Sequence, residues 1–525
     1  MPGGLPARGL GIEADTAFFT GNQAPRLSVQ GACLRGRGAA DDQLAETRET
    51  ARATVETPDG SAAQGGLGMG ADSQLAAAVA TAAAGAAAAA LLLHRSRRAR
   101  RVSREGAAVL ELLPGETSSV MLGMAPAIAT CTFLTGDHRE AAERLRARVR
   151  EILLLNPWLG GRLDQVRGER RPVLVYGSAP APDDPTSGGV FVHAVAGKVK
   201  LSNATPYRDV EPALRSVLVK TGSACLGRAD EPLFRVAVIP DAASPGARWA
   251  LVVSLSHVVA DGHTFYQVHN MLSDGRAVRA LEPKRNVDVP KKAETAMGGD
   301  GGFLAKPRPG LLLSLISAGL VGGIVGPKCT VALHLVDNAY VARRKAEAAR
   351  EEGVQYVSTN DVVTSEVLVA AGSGLGLMDV NLRGRVPECS ANLAGNYEDK
   401  IVYLPSDYAS PALVRASVKD PTRLVRASEP RTALPESLRD FWRLDSMAAV
   451  SNWSTFAEDV ELEGHRAELH VPVFDAGAVP ARLFTGCFVF KPGAGRPLAL
   501  ALAGSEQVLS KVARAGAVGE PLQHD

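Results

Sequence analysis

The chain is organised around an apolar run that ends in one polar cluster. Residues 251–260 read Leu-Val-Val-Ser-Leu-Ser-His-Val-Val-Ala, and Asp261 and Gly262 follow directly. Because β-branched residues dominate and an Asp-Gly pair follows, the pattern predicts a buried strand that leads into a tight turn. His257 therefore stands at the end of a strand, where a rigid sheet can hold its side chain still.

An amphipathic helix and several strands are predicted before and around this run. Residues 139–155 place apolar side chains on one face at helical spacing, with charges opposite, and Pro157 then stops the helix. A second helix is predicted at 264–272, packed beneath the histidine turn, with His263 and His269 as packing or surface residues. Strands are predicted at 172–176, 190–195, 233–239 and 249–256.

The first hundred residues differ from the rest in composition. Residues 1–68 are rich in Gly, Ala, Pro and polar side chains without a sustained period, so we expect them to be disordered. Residues 69–109 include an uncharged, Ala-rich stretch at 75–93 that is followed by an arginine cluster. This stretch is long enough to anchor the chain in a bilayer with the folded region on the cytoplasmic side. An organelle (plastid) targeting segment and a solvated helical linker are the alternatives.

The globular composition that follows is interrupted once. Residues 273–309 carry many charges, prolines and glycines and predict a connector, and 310–326 form an apolar stretch broken by glycines. We expect the latter to be a core or surface-docking segment rather than a membrane span. The predicted organisation is an N-terminal subdomain at 110–290, a crossover at 291–329 and a C-terminal subdomain at 330–525, since 525 residues exceed one ordinary core.

Composition and charge remove support from several classes of function. The formal net charge is +2, with 58 basic against 56 acidic side chains, so nothing favours nucleic-acid binding. Six cysteines lie far apart without a Cys-x-x-Cys pair, which argues against a zinc site or a disulfide framework. Neither a Gly-x-x-x-x-Gly-Lys loop nor a His-Glu-x-x-His motif occurs. We therefore expect no metal and no tightly bound cofactor.

The residues from His257 to Gly262 form the pattern His-x-x-x-Asp-Gly. This pattern resembles the signature of CoA-dependent acyltransferases of the BAHD type, relatives of chloramphenicol acetyltransferase and of peptide-synthetase condensation domains. Such a short pattern also occurs by chance, and the alternative is a core histidine whose aspartate merely starts a turn. The rest of the chain decides between these two interpretations.

Three further stretches resemble the same family and follow in the family's order. Residues 357–364 place Ser-Thr-Asn-Asp ahead of an apolar helix. Residues 380–387, with Gly395-Asn396, resemble the family's Asn/Asp-x-Arg-x-Arg…Gly-Asn stretch, and Ser451-Asn452-Trp453 resembles its Thr-Ser-Trp strand. Together with the histidine motif they extend the resemblance over roughly residues 115–510.

Two departures indicate a distant branch of this family. The family usually closes with Asp-Phe-Gly-Trp-Gly-Lys-Pro, whereas residues 474–480 read Phe-Asp-Ala-Gly-Ala-Val-Pro and lack both of its aromatic residues. By the resemblance, Asp475 of this loop is held by Arg383. Ser256 stands where condensation domains carry the first histidine of a His-His pair.

The resemblance also implies a role for each residue of the site. His257 is the general base that takes a proton from the incoming hydroxyl or amine. Asp261 points away from it and pairs with an arginine, and Gly262 allows a close backbone approach in the turn. The indole of Trp453 and the hydroxyl of Ser451 face the histidine and stabilise the developing oxyanion.

The implied fold is α/β, with two chloramphenicol-acetyltransferase-like subdomains, each a mixed β-sheet with flanking helices, and an active-site channel at their interface. Because no Gly-x-Ser-x-Gly elbow occurs, we expect direct transfer in a ternary complex without an acyl-enzyme. The implied function is transfer of an acyl group from acyl-CoA, a co-substrate, to a hydroxyl or amine of a small molecule of secondary metabolism, by a monomer. The alternatives are a condensation-type enzyme that uses a carrier-protein-bound acyl group and a non-catalytic small-molecule-binding protein of the same fold.

Overall fold

A computed structural model gives the fold of most of the chain after residue 105. The described residues are 11–13, 28–30, 106–123, 125–165, 171–178, 189–303, 327–351, 354–420, 422–428, 430–436, 446–476, 481 and 484–522. Within the first hundred residues only two short strands, β1 (Gly11–Glu13) and β2 (Ser28–Gln30), are described, and they pair antiparallel. The Ala-rich stretch at 75–93, the remainder of 1–68 and the apolar stretch at 310–326 lie outside the described residues.

Ten α-helices are described beyond residue 105. The predicted amphipathic helix is confirmed at 138–155, and the helix after the histidine turn begins at Gly262. None of the helices in the described ranges has the length and apolar character needed to cross a bilayer. The helices are α1 (Ser119–Gly123), α2 (His138–Leu155), α3 (Tyr207–Leu214), α4 (Gly222–Cys225), α5 (Gly262–Asn270), α6 (Val289–Ala296), α7 (Asn338–Ala348), α8 (Thr359–Ala371), α9 (Pro411–Ala416) and α10 (Glu506–Val512).

The first large sheet has five strands in the order β14-β4-β9-β8-β7. β7 and β8 run parallel and the other neighbours antiparallel, so the sheet is mixed. Helix α2 packs against β8 on this sheet. Its strands are β4 (Ile128–Thr135), β7 (Phe191–His193), β8 (Phe234–Pro240), β9 (Arg248–Leu255) and β14 (Arg466–Pro472).

The second large sheet has seven strands in the order β12-β11-β13-β15-β16-β10-β17. The central strands β11, β13 and β15 are parallel and the outer pairs antiparallel. Helices α8 and α10 pack on it. Its strands are β10 (Cys329–Val336), β11 (Leu375–Asn381), β12 (Glu398–Tyr403), β13 (Met447–Asn452), β15 (Phe484–Phe490), β16 (Ala499–Ser505) and β17 (Val518–Pro521).

A small antiparallel sheet, β3-β6-β5, lies in the N-terminal half. Its central strand has the bounds predicted from the sequence, and the predicted strands around 190–195, 233–239 and 249–256 correspond to β7, β8 and β9. The three strands are β3 (Ala108–Glu111), β5 (Arg162–Gln165) and β6 (Pro172–Tyr176).

The fold is therefore α/β, with two mixed sheets that carry flanking helices. One strand of the C-terminal half, β14, pairs with β4 and so belongs to the five-stranded sheet. A strand can therefore belong to one half of the chain and to the sheet of the other half, and the predicted division at 291–329 does not specify this. The first buried apolar cluster covers the five-stranded sheet and also includes Phe488 and Phe490 of β15, and a second cluster packs on the seven-stranded sheet. Trp158 and Trp249 are among the largest buried side chains of the first cluster.

Candidate active site

The site is built on the turn between β9 and α5. β9 ends at Leu255, and His257 follows two residues later, as the apolar run predicts. Asp261 caps α5, because its carboxylate accepts a hydrogen bond of 2.8 Å from the amide of Thr264. His257 is 3 % exposed, so its ring is held between the sheet and the segments packed on it.

The side-chain amide of Asn396 fixes the tautomer of His257. Asn396 Oδ1 lies 3.0 Å from His257 Nδ1. The Nδ2 group of Asn396 donates to the carbonyl oxygen of His257 at 2.8 Å and to Glu116 Oε1 at 3.2 Å, so the orientation of the amide follows from two acceptors. Since Oδ1 can only accept, Nδ1 of His257 carries the proton, and the lone pair of the neutral ring lies on Nε2. A base that acts through Nε2 requires this tautomer.

Asp261 pairs with Arg383 beneath the turn. The carboxylate oxygen and Arg383 Nη1 are 2.7 Å apart, and both side chains are almost fully buried. Burial acts to raise the pKa of Asp261, but the Arg383 guanidinium and the amide of Thr264 outweigh it, so the pKa lies below its ordinary value. The amide of Tyr397 donates to the same carboxylate at 2.8 Å. Asp261 therefore braces the turn and joins α5 to the start of β12.

The predicted pairing of Arg383 with Asp475 is wrong. The guanidinium of Arg383 is occupied by Asp261, Thr264 and backbone carbonyl oxygens. Asp475 lies instead 4.0 Å from the exposed side chain of Arg215. The resemblance left the arginine partner of Asp261 unnamed, and in the structure it is Arg383. The buried carboxylate takes this guanidinium because it has no solvent to replace the contact.

The structure places Trp453 against the start of α5. A Cβ built on Gly262 would lie 3.4 Å from the indole nitrogen of Trp453. The three heavy atoms nearest to this Cβ all belong to the indole and lie at van der Waals distances, so the indole packs beside Gly262 and no close approach of another backbone segment is seen there. The indole also packs on Phe488 and Tyr266, with ring centroids 5.0 and 6.0 Å away.

Ser451 and Trp453 lie at the end of β13, one residue apart from each other. β13 ends at Asn452, and the amide of Trp453 donates to the carbonyl oxygen of Val489 on β15 at 2.8 Å. Ser451 is buried, and Trp453 is 7 % exposed. The parallel pairing with β15 therefore fixes the point at which these side chains leave the sheet.

Two residues of the site, Glu116 and Arg285, escaped the sequence analysis. Glu116 accepts hydrogen bonds from the backbone amide of Asn396 at 2.9 Å and from Arg285 Nε at 3.0 Å. Glu116 lies in a loop without periodicity, and Arg285 in the connector after α5. Neither residue belongs to a motif. The contact between Glu116 and Asn396 joins positions 280 residues apart, and no local sequence pattern predicts it.

A cavity of about 510 Å³ lies beside the turn, between α5 and the segment after Trp453. Its lining does not include His257. One face of α5 contributes His263, Gln267 and Asn270, and the opposite wall includes Phe456. Burial, followed by the charge of Arg383, lowers the pKa of His263 to about 4, so its imidazole is neutral at pH 7. His263 was expected to be a packing or surface residue, and it is a half-buried wall of this cavity.

The thiols that the structure describes are poor nucleophiles. Burial raises the pKa of Cys225, Cys329 and Cys487 to about 12 and that of Cys389 to about 11. Burial also raises the pKa of Cys131 far above its ordinary value. Because the thiolate is the reactive form, these side chains do not support a cysteine nucleophile at neutral pH. Within the described ranges no group of three His, Cys, Asp or Glu side chains is placed to hold a metal ion.

Comparison with known proteins gives likenesses in fold at low sequence identity. No protein-family model matches the sequence. The chain is similar to TRI101 of F. sporotrichioides complexed with coenzyme A and T-2, at 10% identity and a TM-score of 0.48 over 79% of this chain and 99% of that one. It is similar to vinorine synthase at 11% identity and a TM-score of 0.47, over 81% and 99%. It is also similar to the first condensation domain of the CDA synthetase at 15% identity and a TM-score of 0.44, over 76% and 94%. Because these TM-scores are below 0.5, the chemistry is inferred from the residues of the site and not from these likenesses.

Proposed function

We propose that the protein is an acyltransferase that moves an acyl group from acyl-CoA to a hydroxyl or amine of a small molecule. The observation that carries this proposal is the 3.0 Å contact between His257 Nδ1 and Asn396 Oδ1, from which we infer a proton on Nδ1 and the lone pair on Nε2. A buried imidazole held in this way is suited to take one proton and return it. The resemblance of the surrounding motifs to those of CoA-dependent acyltransferases is the reason for proposing acyl-CoA as the donor.

The proposed reaction is a direct transfer in a ternary complex. His257 Nε2 takes the proton of the acceptor O–H or N–H while the acceptor atom bonds to the thioester carbonyl carbon. The carbonyl oxygen becomes an oxyanion, which the N–H of Trp453 and the hydroxyl of Ser451 are proposed to stabilise. The C–S bond then breaks, and the proton on Nε2 passes to the departing thiolate. The products are the acylated acceptor and free CoA.

The burial of the base favours this chemistry. A site that excludes water strengthens the hydrogen bonds to the oxyanion and limits hydrolysis of the thioester. His257 is 3 % exposed and Trp453 7 %, so both groups meet this condition. We propose that the cavity beside α5 receives one of the two substrates, because Thr455 and Phe456 in its wall follow Trp453 closely in the chain and its other wall is α5, which begins at Gly262 beside the indole.

A panel of acyl-CoAs and small alcohols and amines tests the function. Free thiol and the mass of the acylated acceptor are measured together, so hydrolysis is distinguished from transfer. Thiol release that depends on an acceptor supports the proposal. Transfer only from an acyl group on a carrier protein would support the condensation-type alternative, and tight ligand binding without turnover would support a binding protein. Either of these two results contradicts the proposal.

The place of action in the cell is a separate proposal. We propose that residues 75–93 either anchor the protein in a membrane or direct it to an organelle. Expression of the full chain and of a chain that begins at Met69 or after residue 105, followed by fractionation, tests this. Identical distribution of the full and the shortest chain would contradict both versions.

A further inference from the structure

A buried ion pair lies one hydrogen bond away from the amide that orients His257. Arg285 Nε is 3.0 Å from Glu116 Oε2, and the two side chains are 1 % and 0 % exposed. Neither Glu116 nor Arg285 belongs to a motif identified in the sequence. It draws together the loop before α1, the connector after α5 and the stretch that leads into β12.

Both partners are fully engaged by backbone groups. Arg285 donates through Nη2 to the carbonyl oxygen of Val259 in the histidine turn at 2.9 Å, and through Nη1 to that of Ala394 at 2.9 Å. The carboxylate of Glu116 accepts from the amide of Leu113 at 2.8 Å as well as from Asn396. The arginine therefore holds the turn, and the glutamate holds the amide that faces the turn.

Stability alone is a weak reason for such a pair. Removing two charges from water costs several kcal/mol per ion, and replacing a buried pair with apolar groups is often neutral or stabilising. The geometric effect is specific, however. Glu116 Oε1 accepts from both the backbone N–H and Nδ2 of Asn396, which keeps Nδ2 away from the ring of His257 and Oδ1 towards it.

We propose that Glu116 and Arg285 are positioning residues that hold Asn396, and through it His257, in the state with the proton on Nδ1. In Glu116→Gln the single remaining acceptor oxygen is expected to stay with the charged Arg285 guanidinium and the amide of Leu113, so the new NH2 group faces Asn396, whose amide loses an acceptor and can rotate. Nδ2 then faces Nδ1 of the ring, which favours a proton on Nε2 and removes the lone pair from that nitrogen. The catalytic meaning of this proposal rests on the proposed function, but the protonation state of the ring does not.

The test reads the ring directly in the full-length protein. With ¹⁵N-labelled histidine, two-bond ¹H–¹⁵N correlations at alkaline pH report which nitrogen of the neutral ring is protonated, and His257→Ala assigns the signal. The wild type is expected to have the proton on Nδ1. Glu116→Gln is expected to shift His257 towards the Nε2–H form and to lower kcat by about 10- to 100-fold, with the KM for acyl-CoA unchanged.

A matched control separates positioning from general loss of a buried charge. Arg426 and Asp407 form another ion pair, 3.1 Å apart and 2 % and 0 % exposed, in the C-terminal half. Like Glu116, Asp407 also accepts from a backbone amide, that of Leu404 at 2.7 Å. Asp407→Asn is expected to lower stability while leaving the His257 signal and kcat as in the wild type.

The outcomes decide the proposal even if single variants fold poorly. The double variant Glu116→Met, Arg285→Met leaves no lone buried charge, removes the acceptor of Asn396 Nδ2 and is expected to shift the ring in the same direction. A wild-type ring with its proton on Nε2, or an unchanged ring in either folded variant, overturns the proposal. If the ring shifts in the variants but the wild type has no transferase activity, this proposal stands and the proposed function is wrong.

Discussion

Two ring nitrogens carry the proposed chemistry at the scale of single residues. His257 Nε2 is the proposed base because Nδ1 is engaged by Asn396. Trp453 Nε1 lies beside Gly262, the first residue of α5, and this helix directly follows the turn that carries the histidine. The first takes a proton and the second donates a hydrogen bond, so each can be removed without removing the other.

Replacing the indole tests the proposed oxyanion donor. Trp453→Phe keeps an aromatic ring against Phe488 but removes the N–H, and we expect kcat to fall by about 10²–10³-fold with acyl-CoA binding retained. Trp158→Phe removes another buried indole N–H, which lies in the first buried cluster and has no hydrogen-bond partner among the described residues. If both variants lose the same activity, the indole of Trp453 has no special part in the reaction.

At this scale the sequence identified residues that belong to local motifs. His257, Asp261 and Gly262 were found because a strand pattern and a turn signal coincide within twelve residues. Glu116 was missed because its contact to Asn396 depends on how distant segments pack. The error over Asp475 has the same origin, since the choice between two carboxylates for one arginine depends on burial in the folded chain.

Helix α5 is the element that connects the site to both halves of the chain. Its N-cap, Asp261, is also the partner of Arg383, so one carboxylate ends the turn and ties the helix to the second half. Its half-buried face, with His263, Gln267 and Asn270, lines the cavity. A change at the cap should therefore affect stability, and a change on the face should affect ligand binding.

Breaking the ion pair at the cap should destabilise the protein strongly. Asp261→Asn preserves an N-cap side chain but leaves the Arg383 guanidinium buried without its carboxylate, and we expect a loss of about 3–5 kcal/mol in the free energy of unfolding. Asp475→Asn should change it by less than about 1 kcal/mol, because the Asp475 side chain is 30 % exposed and water screens its contact with Arg215, which is 66 % exposed. Urea unfolding measures both. Equal losses would contradict the assignment of Arg383 to Asp261.

The cavity face of α5 can be tested through the acceptor. His263→Phe removes a neutral ring that can bond to a ligand, and we expect the acceptor KM to rise about 2- to 12-fold, equivalent to one hydrogen bond of about 0.5–1.5 kcal/mol, with kcat unchanged. His334→Phe, on β10 and away from the cavity lining, is the matched control. If neither the acceptor KM nor the acyl-CoA KM distinguishes the two variants, the substrates bind elsewhere.

Elements were more predictable than their arrangement. The bounds of α2 and β6 follow from local periodicity and from the proline after the helix. α8 has the capping box indicated by its sequence, with Ser358 and Asp361 bonded reciprocally. The pairing of β14 with β4, in contrast, depends on long-range packing, which no alternation of residues specifies.

At the scale of the whole molecule, buried histidines couple stability to pH. His269 is fully buried, its ring centroid lies 5.2 Å from that of His470, and burial lowers the pKa of His269 to about 4 and that of His470 well below its ordinary value. The unfolded chain therefore binds more protons than the folded chain between pH 6.5 and about 4. Stability rises with pH across this window and is lost on acidification.

Removing one of these histidines should weaken the dependence of the free energy of unfolding on pH. We expect His269→Leu to reduce the slope of the free energy of unfolding between pH 6.5 and 4 by up to about 1.4 kcal/mol per pH unit. Urea unfolding of both proteins at several pH values gives the difference, in which contributions of carboxylates such as Asp361, whose pKa burial raises, cancel. Parallel pH profiles would show that His269 does not titrate as inferred.

The most direct test of the proposed function compares the wild type with His257→Ala in the acyl-transfer reaction. Acceptor-dependent thiol release is measured for both proteins, with binding of acyl-CoA followed by calorimetry. If His257 is the general base, kcat falls by about 10²–10⁴-fold in the variant while acyl-CoA binds as before. A variant that transfers the acyl group at the wild-type rate would contradict the assignment of this histidine.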